Sequence, residues 1–195
     1  MEEFEYANYV SEERVVPDEK LGKYNMPFIV FPFTFLFIFI INFGASKLFE
    51  GIDEYFSLQN LFLVFSAGFL AHEILHFIAW QALSRFRVQD FRIGMRWNSF
   101  TPVIGCQRPM PLNAFRVGLI FPFLVMGVGP IFFAFYWQET WLLFTGMIYL
   151  AWSSADLLTF ILIWKVEKKS FVEMHRAKLG SIVFNLKSDL SELAS

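Results

Sequence analysis

Two histidines and a glutamate stand in His72-Glu73-Ile74-Leu75-His76, a polar pentad inside an otherwise apolar run from Leu61 to Leu83. Histidines four residues apart share one face of a helix, close enough to hold a single metal ion, and the glutamate between them is placed to move a proton. This H-E-x-x-H spacing is a zinc signature. The chain has only three His in 195 residues, so abundance does not explain the pattern. An ionisable group at the centre of a membrane helix costs on the order of 3 kcal/mol and persists where it is paired, metal-bound or functional. A polar interface between helices would also tolerate such residues. The spacing favours a metal site inside a membrane.

Composition supplies the membrane. The chain is 56% hydrophobic, with 27 Phe, and 17% charged, against about 25% charged in soluble domains. A net charge of -2 and the lack of a Gly-rich phosphate loop give no reason to expect nucleic acid as a partner. Cys106 is the single cysteine, which excludes an intramolecular disulfide and a multi-thiolate metal site. Zinc ligands must then be His, Asp or Glu.

The elements that position the pentad follow from the apolar runs. The fold class read from them is an all-α polytopic membrane protein with about four transmembrane helices and a small cytoplasmic β-hairpin between the second and third. Residues 1–26 form a polar, acidic arm that reads as exposed. A membrane-embedded domain covers 27–165, with spans at about 27–46, 60–84, 114–137 and 141–164. Pro32 kinks the first span or marks its start. An acidic loop or interfacial helix follows at Lys47 to Gln59. Arg85 to Asn113 is basic and broken by Pro102, Pro109 and Pro111, so it lies outside the bilayer. Within it Phe91, Ile93, Met95 and Trp97 alternate with Arg92, Gly94, Arg96 and Asn98, a half-buried strand pattern. Asn98-Ser99 makes a turn and Phe100 to Gln107 returns as a second strand, with Pro102 confining it to an edge. The hairpin spans about 88–107. Asn113 caps the third helix, which bends at Pro122 and at Gly127, Gly129 and Pro130. The tail, 166–195, reads as helical in part.

Basic residues orient the chain. Arg14, Lys20 and Lys23 lie in the arm, Arg85, Arg87, Arg92, Arg96, Arg108 and Arg116 in the middle region, and Lys165, Lys168, Lys169, Arg176, Lys178 and Lys187 in the tail. Lys47 alone is left for the far side. Both termini and the hairpin are therefore expected in the cytoplasm.

This topology points to a third ligand, because a catalytic zinc takes three protein ligands and keeps one position open. Asp156 is the only acid inside the other three spans. His76 and Asp156 each precede a basic boundary residue, Arg85 and Lys165, by nine positions, which sets both about 13 Å deep in helices running the same way. Gly68, Ala79, Ser153, Ser154 and Ala155 are small enough for those helices to meet. A helix-interface acid is the other reading of Asp156. His175 and Glu173 in the tail are weaker ligand candidates, and Asp53, Glu54 and Glu139 belong to the opposite surface.

Together the pentad, the basic hairpin region, Arg108-Pro109-Met110-Pro111, Phe121-Pro122 and Ser153-Ser154-Ala155-Asp156-Leu157 resemble a family of small prokaryotic membrane proteins, the zincin peptidases. That family is similar in turn to the core of site-2 proteases, which carry Asn and Pro before their metal-binding aspartate and Gly after it, residues that Trp152 to Leu157 lack. The resemblance covers roughly Asn60 to Trp164. It implies one zinc ion per chain held by His72, His76 and Asp156, Glu73 as general base, and a location in a prokaryotic cytoplasmic membrane. The implied partners are bilayer lipid and a membrane-protein or peptide substrate.

The chemistry expected of these residues is hydrolysis of a peptide bond, with Glu73 taking a proton from water and returning it to the leaving amine. Transmembrane helices hide their peptide bonds, so substrate must be unwound. The hairpin, through Phe91, Ile93, Met95 and Trp97, is the candidate to hold an extended strand; a surface cap over the helix ends is the other reading. A metal transporter would also place His and Asp at mid-membrane but has no use for the glutamate between them. A catalytically silent adaptor, held together by zinc, would keep the ligands without needing Glu73 except as their support.

Overall fold

The computed structural model describes residues 4–50, 52–84, 86–96, 101–175 and 178–187. Strand β1 (Tyr9–Val15) precedes α1 (Leu21–Val30) and α2 (Pro32–Phe43). These two helices make one apolar span, Leu21–Phe43, starting earlier than 27 because the polar turn from Gly22 to Asn25 is helical as well. Pro32 opens α2 at a position where its missing N–H is not needed. Two short helices, α3 (Ala45–Phe49) and α4 (Ile52–Tyr55), lead to α5 (Leu58–Ser84), which is free of proline and carries the pentad.

The hairpin follows as β2 (Phe91–Arg96) and β3 (Thr101–Cys106), paired antiparallel from Phe91 opposite Cys106 to Arg96 opposite Thr101. Trp97 and the expected turn at Asn98-Ser99 lie outside the described residues. After β4 (Met110–Pro111), the chain forms α6 (Leu112–Pro122), a wide i→i+5 turn at Phe123–Val128, and α7 (Gly129–Trp137). The widening comes directly after Pro122, where the regular ladder loses a donor. Asn113 does not cap this span. It lies inside the first turn, and the Leu112 N–H donates instead to the Ser170 carbonyl at 3.1 Å. Last come α8 (Thr140–Trp152) and α9 (Ser154–Ile163), then β5 (Phe171–Met174) and β6 (Gly180–Leu186).

Among the described residues, three helices are long and apolar enough to cross a membrane: Leu21–Phe43, Leu58–Ser84 and Leu112–Trp137. α8 and α9 meet the same measure only as a pair, bent by 46° at Ser153. The molecule is thus mostly helical, with small antiparallel sheets.

The arm and the tail hold strands that the sequence reading did not anticipate. β1, most of whose residues stay exposed, joins β4, β5 and β6 in a four-stranded antiparallel sheet in the order β1-β6-β5-β4, and residues 188–195 of the tail lie outside the described residues. Val172 and Val183 face each other in its register and are fully buried beneath it with Trp80, Leu112, Phe115, Leu119 and Ile163. On its other face Phe171 and Phe184 meet Phe4, whose ring lies 5.3 and 5.7 Å from theirs. Gly180, at φ +132°, joins the strands where any Cβ would press on the backbone of Arg14 and Val15.

A second core joins the first span to the last two: Phe39, Ile131, Ala134, Leu143, Met147 and Leu150. Small residues set its spacing. A Cβ on Gly146 would come within 2.8 Å of the Gly127 carbonyl, so α8 and the third span touch backbone to backbone.

The base of the hairpin is fastened by Asp90, which accepts from the Arg87 N–H at 2.8 Å and from the Arg108 guanidinium at 2.6 Å. Arg108 also lies over the Phe86 ring, 4.4 Å from its centre. Burial works against the Asp90 carboxylate, but these donors outweigh it and hold its pKa below the ordinary value. A lowered carboxyl stabilises the fold above its unfolded pKa, about 3.9, and stops doing so as pH falls through the folded one. Asp90→Asn should therefore lower the thermal midpoint near pH 7, and its gap from wild type should close as the pH is taken toward 3; a gap independent of pH would disprove the anchoring role.

Candidate metal centre

One face of α5 is buried and carries Gly68, His72, His76, Ala79 and Trp80, while Leu70, Ile74 and Ile78 point outward. The histidines sit on the inner stripe of the helix, 3% and 4% exposed. Across from them α9 begins at the bend, and Asp156 lies in its first turn, where a carboxylate favours the helix dipole.

The structure brings His72, His76 and Asp156 together. Asp156 Oδ2 is 3.0 Å from His72 Nε2 and 3.3 Å from His76 Nε2, and the two Nε2 atoms are 3.2 Å apart. Bonds of about 2.0–2.1 Å from a tetrahedral zinc place neighbouring donors about 3.3–3.4 Å apart. Three donors at nearly that spacing, two nitrogens of buried imidazoles and an oxygen of a part-buried carboxylate, fit zinc. The imidazole of His76 is also set for it. Its Nδ1 is 2.8 Å from the Gly118 carbonyl, so Nδ1 carries the proton and Nε2 keeps its lone pair for a metal. Among the described residues, His72 Nδ1 is buried without a partner.

Glu73 lies on the same turn. One ligand atom from each of His72, Glu73 and His76 falls within a 4.8 Å span, so Glu73 is a second carboxylate within reach of the site. Its Oε2 accepts the Ile104 N–H of β3 at 2.8 Å. Asp156 is closer to both nitrogens and the better fit to a ligand; Glu73 stands beside them, tied to the hairpin.

α6 supports both ligand helices. Trp80, one turn beyond His76, stacks on its ring at 5.0 Å and donates from Nε1 to the Phe115 carbonyl at 3.3 Å. Arg116 donates to the carbonyls of Ile163, Trp164 and Val166 and so caps the end of α9. Above the histidines, Tyr149 of α8 donates to the Val64 carbonyl and fills the space left by Gly68. These supports were not read from the sequence. The i+4 spacing of Trp80 from His76 was an available signal for one of them, whereas the Gly118 carbonyl and the Ile104 N–H are backbone groups and leave none.

Of the residues expected to hold substrate, Phe91 packs against Phe77, with ring centres 5.0 Å apart, and so fastens β2 to α5. Ile93 and Met95 lie in β2 opposite Ile104 and Pro102. Their side chains, like Trp97, are outside the described part of the structure. Glu173 belongs to β5, and His175 directly follows that strand, where its Nδ1 accepts the Lys178 N–H at 2.8 Å. A cavity of about 650 Å³, lined by Lys47, Glu50, Asn60, Glu139 and Trp141, opens at the start of α5, three turns from His72. It is remote from the chemistry. Cys106 in β3 is part-buried, and burial pushes its thiol pKa up, away from a reactive thiolate.

A family profile described as "Putative zincin peptidase" matches residues 65–171. No curated protein and no solved structure matches the chain.

Proposed function

The chain belongs to this family of zincin peptidases, and from that premise we propose that it is a membrane-embedded zinc metallopeptidase that hydrolyses peptide bonds in or near the bilayer. The observation that carries the proposal is the triangle of His72 Nε2, His76 Nε2 and Asp156 Oδ2, with sides of 3.0 to 3.3 Å, beside Glu73 on an apolar helix.

The three residues of the triangle would hold the zinc. When bound, zinc supplies Lewis acidity, polarising a peptide carbonyl and making water a nucleophile near neutral pH. Glu73 takes the proton from that water and hands it to the departing amine nitrogen. The Gly118 carbonyl keeps His76 in the tautomer this requires, and Arg116 holds α9, so Asp156 keeps its place. The hairpin, standing over Glu73, holds an extended stretch of a membrane-protein or peptide substrate. The apolar helix that carries His72, Glu73 and His76 is the reason to set the reaction within the membrane.

The sheet supports a four-span topology with both termini and the hairpin on one side. β1 precedes the first span, β4 stands between the second and third, and β5 and β6 follow α9, yet all four pair in one sheet. Segments that pair must lie on the same face of the membrane, which makes the number of crossings between them even and counts the bent α8–α9 pair as a span. The Lys and Arg distribution assigns that face to the cytoplasm, in a prokaryotic cytoplasmic membrane.

Metal analysis of detergent-purified protein tests the site. Wild type should carry about one zinc per chain, and both Asp156→Ala and the His72→Ala/His76→Ala pair should lose it. An Asp156→Ala protein that keeps its zinc would move the third ligand to Glu73, and a wild type that takes up no zinc under metal-replete conditions would end the peptidase reading.

A further inference from the structure

The edge of β3 that faces away from β2 is already in use. In an antiparallel pair, alternate residues turn their N–H and C=O toward the partner strand and the others turn them away. Ile104 gives its N–H to Glu73, so its pair with Ile93 is one of the non-bonded kind, and the pairs Phe91–Cys106 and Met95–Pro102 share that parity. Pro102, with no N–H, sits where β2 asks for none. The outer edge of β3 is therefore turned toward α5, and the Glu73 carboxylate occupies the place that the carbonyl of a third strand would take.

We infer that this edge is the docking strand for an extended polypeptide backbone and that Glu73 keeps it closed until a docking strand displaces the carboxylate. The inference rests on the peptidase reading and adds to it a latch worked by the substrate. A backbone carbonyl that accepts from Ile104 N–H lies between β3 and the His72–Glu73 turn, beside the ligand atoms. As it arrives, Ile104 exchanges one acceptor for another and Glu73 loses its donor. The carboxylate is then free to accept a proton in the step that seats the peptide. With no strand present, the base stays engaged by the hairpin.

The test uses the full-length, zinc-loaded protein in detergent, with fluorescein-labelled β-casein as the extended-chain probe. Glu73→Ala removes the acceptor that closes the edge, whereas Glu73→Gln removes the charge and keeps an acceptor. Neither has the base, so binding is read without turnover. Glu73→Ala should bind casein about fivefold tighter than Glu73→Gln, the worth of one hydrogen bond. Ile104→Pro added to Glu73→Ala should abolish that difference; its ring takes the parity Pro102 already has, and retained zinc content verifies the fold. Hydrogen exchange gives a second reading. The Ile104 amide should be protected in wild type and Glu73→Gln, exchange quickly in Glu73→Ala, and regain protection when casein is added. Equal affinities for the Ala and Gln variants, a difference that survives Ile104→Pro, or an Ile104 amide indifferent to casein would each overturn the latch. Cleavage by wild type is scored separately, so a protein that shows the latch but never cuts casein would remove the peptidase reading while leaving the docking edge in place.

Discussion

Glu73→Gln should lower hydrolysis of a casein probe by about 10²–10⁴-fold while zinc stays at the wild-type level. The separation of these two readouts follows from the geometry. The donors that lie 3.0 to 3.3 Å from one another belong to His72, His76 and Asp156, and on the proposed reading these three would hold the metal without Glu73. Glutamine has the same shape and an oxygen that can still accept from Ile104 N–H, so the hairpin keeps its hold on α5. What disappears is the ability to take a proton and pass it on. Activity that survives the change would defeat the mechanism. Zinc lost together with activity would make Glu73 a ligand and replace the triangle with the set His72, Glu73 and His76. A wild type that holds zinc and cuts nothing would favour the silent adaptor.

The parts of the molecule that were legible in the sequence are those in which side chains announce their surroundings. His72 and His76 stand out because two imidazoles on one face of an apolar helix are costly unless paired or metal-bound, and Asp156 stands out because acids are so rare in the other apolar runs. The structure places all three within hydrogen-bonding distance of one another. The hairpin was readable for a similar reason: β2 alternates and β3 carries a proline suited to an edge. β1 was not. It is the edge strand of its sheet, and most of its residues, Glu12, Glu13 and Arg14 among them, face solvent, so no alternation marks it. β6 hides its pattern differently. Val183 points into the core and Phe184 into the aromatic cluster on the other face, which makes neighbouring residues both buried. The bend at Ser153 has neither proline nor glycine to signal it. Groups that act through their backbone, the Gly118 carbonyl above all, are invisible to any reading of side-chain type.

Gly118→Ala tests that invisible group and should lower thermal stability and zinc affinity together. A Cβ there would lie 2.7 Å from Trp80 Cε2 and closer still to Nε1 and Cδ1. The indole cannot step aside. It is 1% exposed and lies between the His76 ring, 5.0 Å away at 18°, and the Phe115 ring, 5.8 Å away at 5°. Either Trp80 moves and takes its neighbours with it, or α6 moves away from α5. Both routes disturb the 2.8 Å bond that fixes the His76 tautomer. Overpacking of this kind costs about 1–3 kcal/mol, and loss of a partner that orients a ligating histidine weakens metal binding by about 10–100-fold. Thermal unfolding and chelator competition on the same preparation measure the two effects, with Gly105→Ala as the control because nothing lies within 4 Å of a Cβ at that position. Adding Trp80→Phe to Gly118→Ala gives the new methyl room and should recover part of the zinc affinity. If the packing is restored and the affinity is not, the Trp80 ring itself supports His76; if Gly118→Ala binds zinc as wild type does, the Gly118 carbonyl has no part in holding the site.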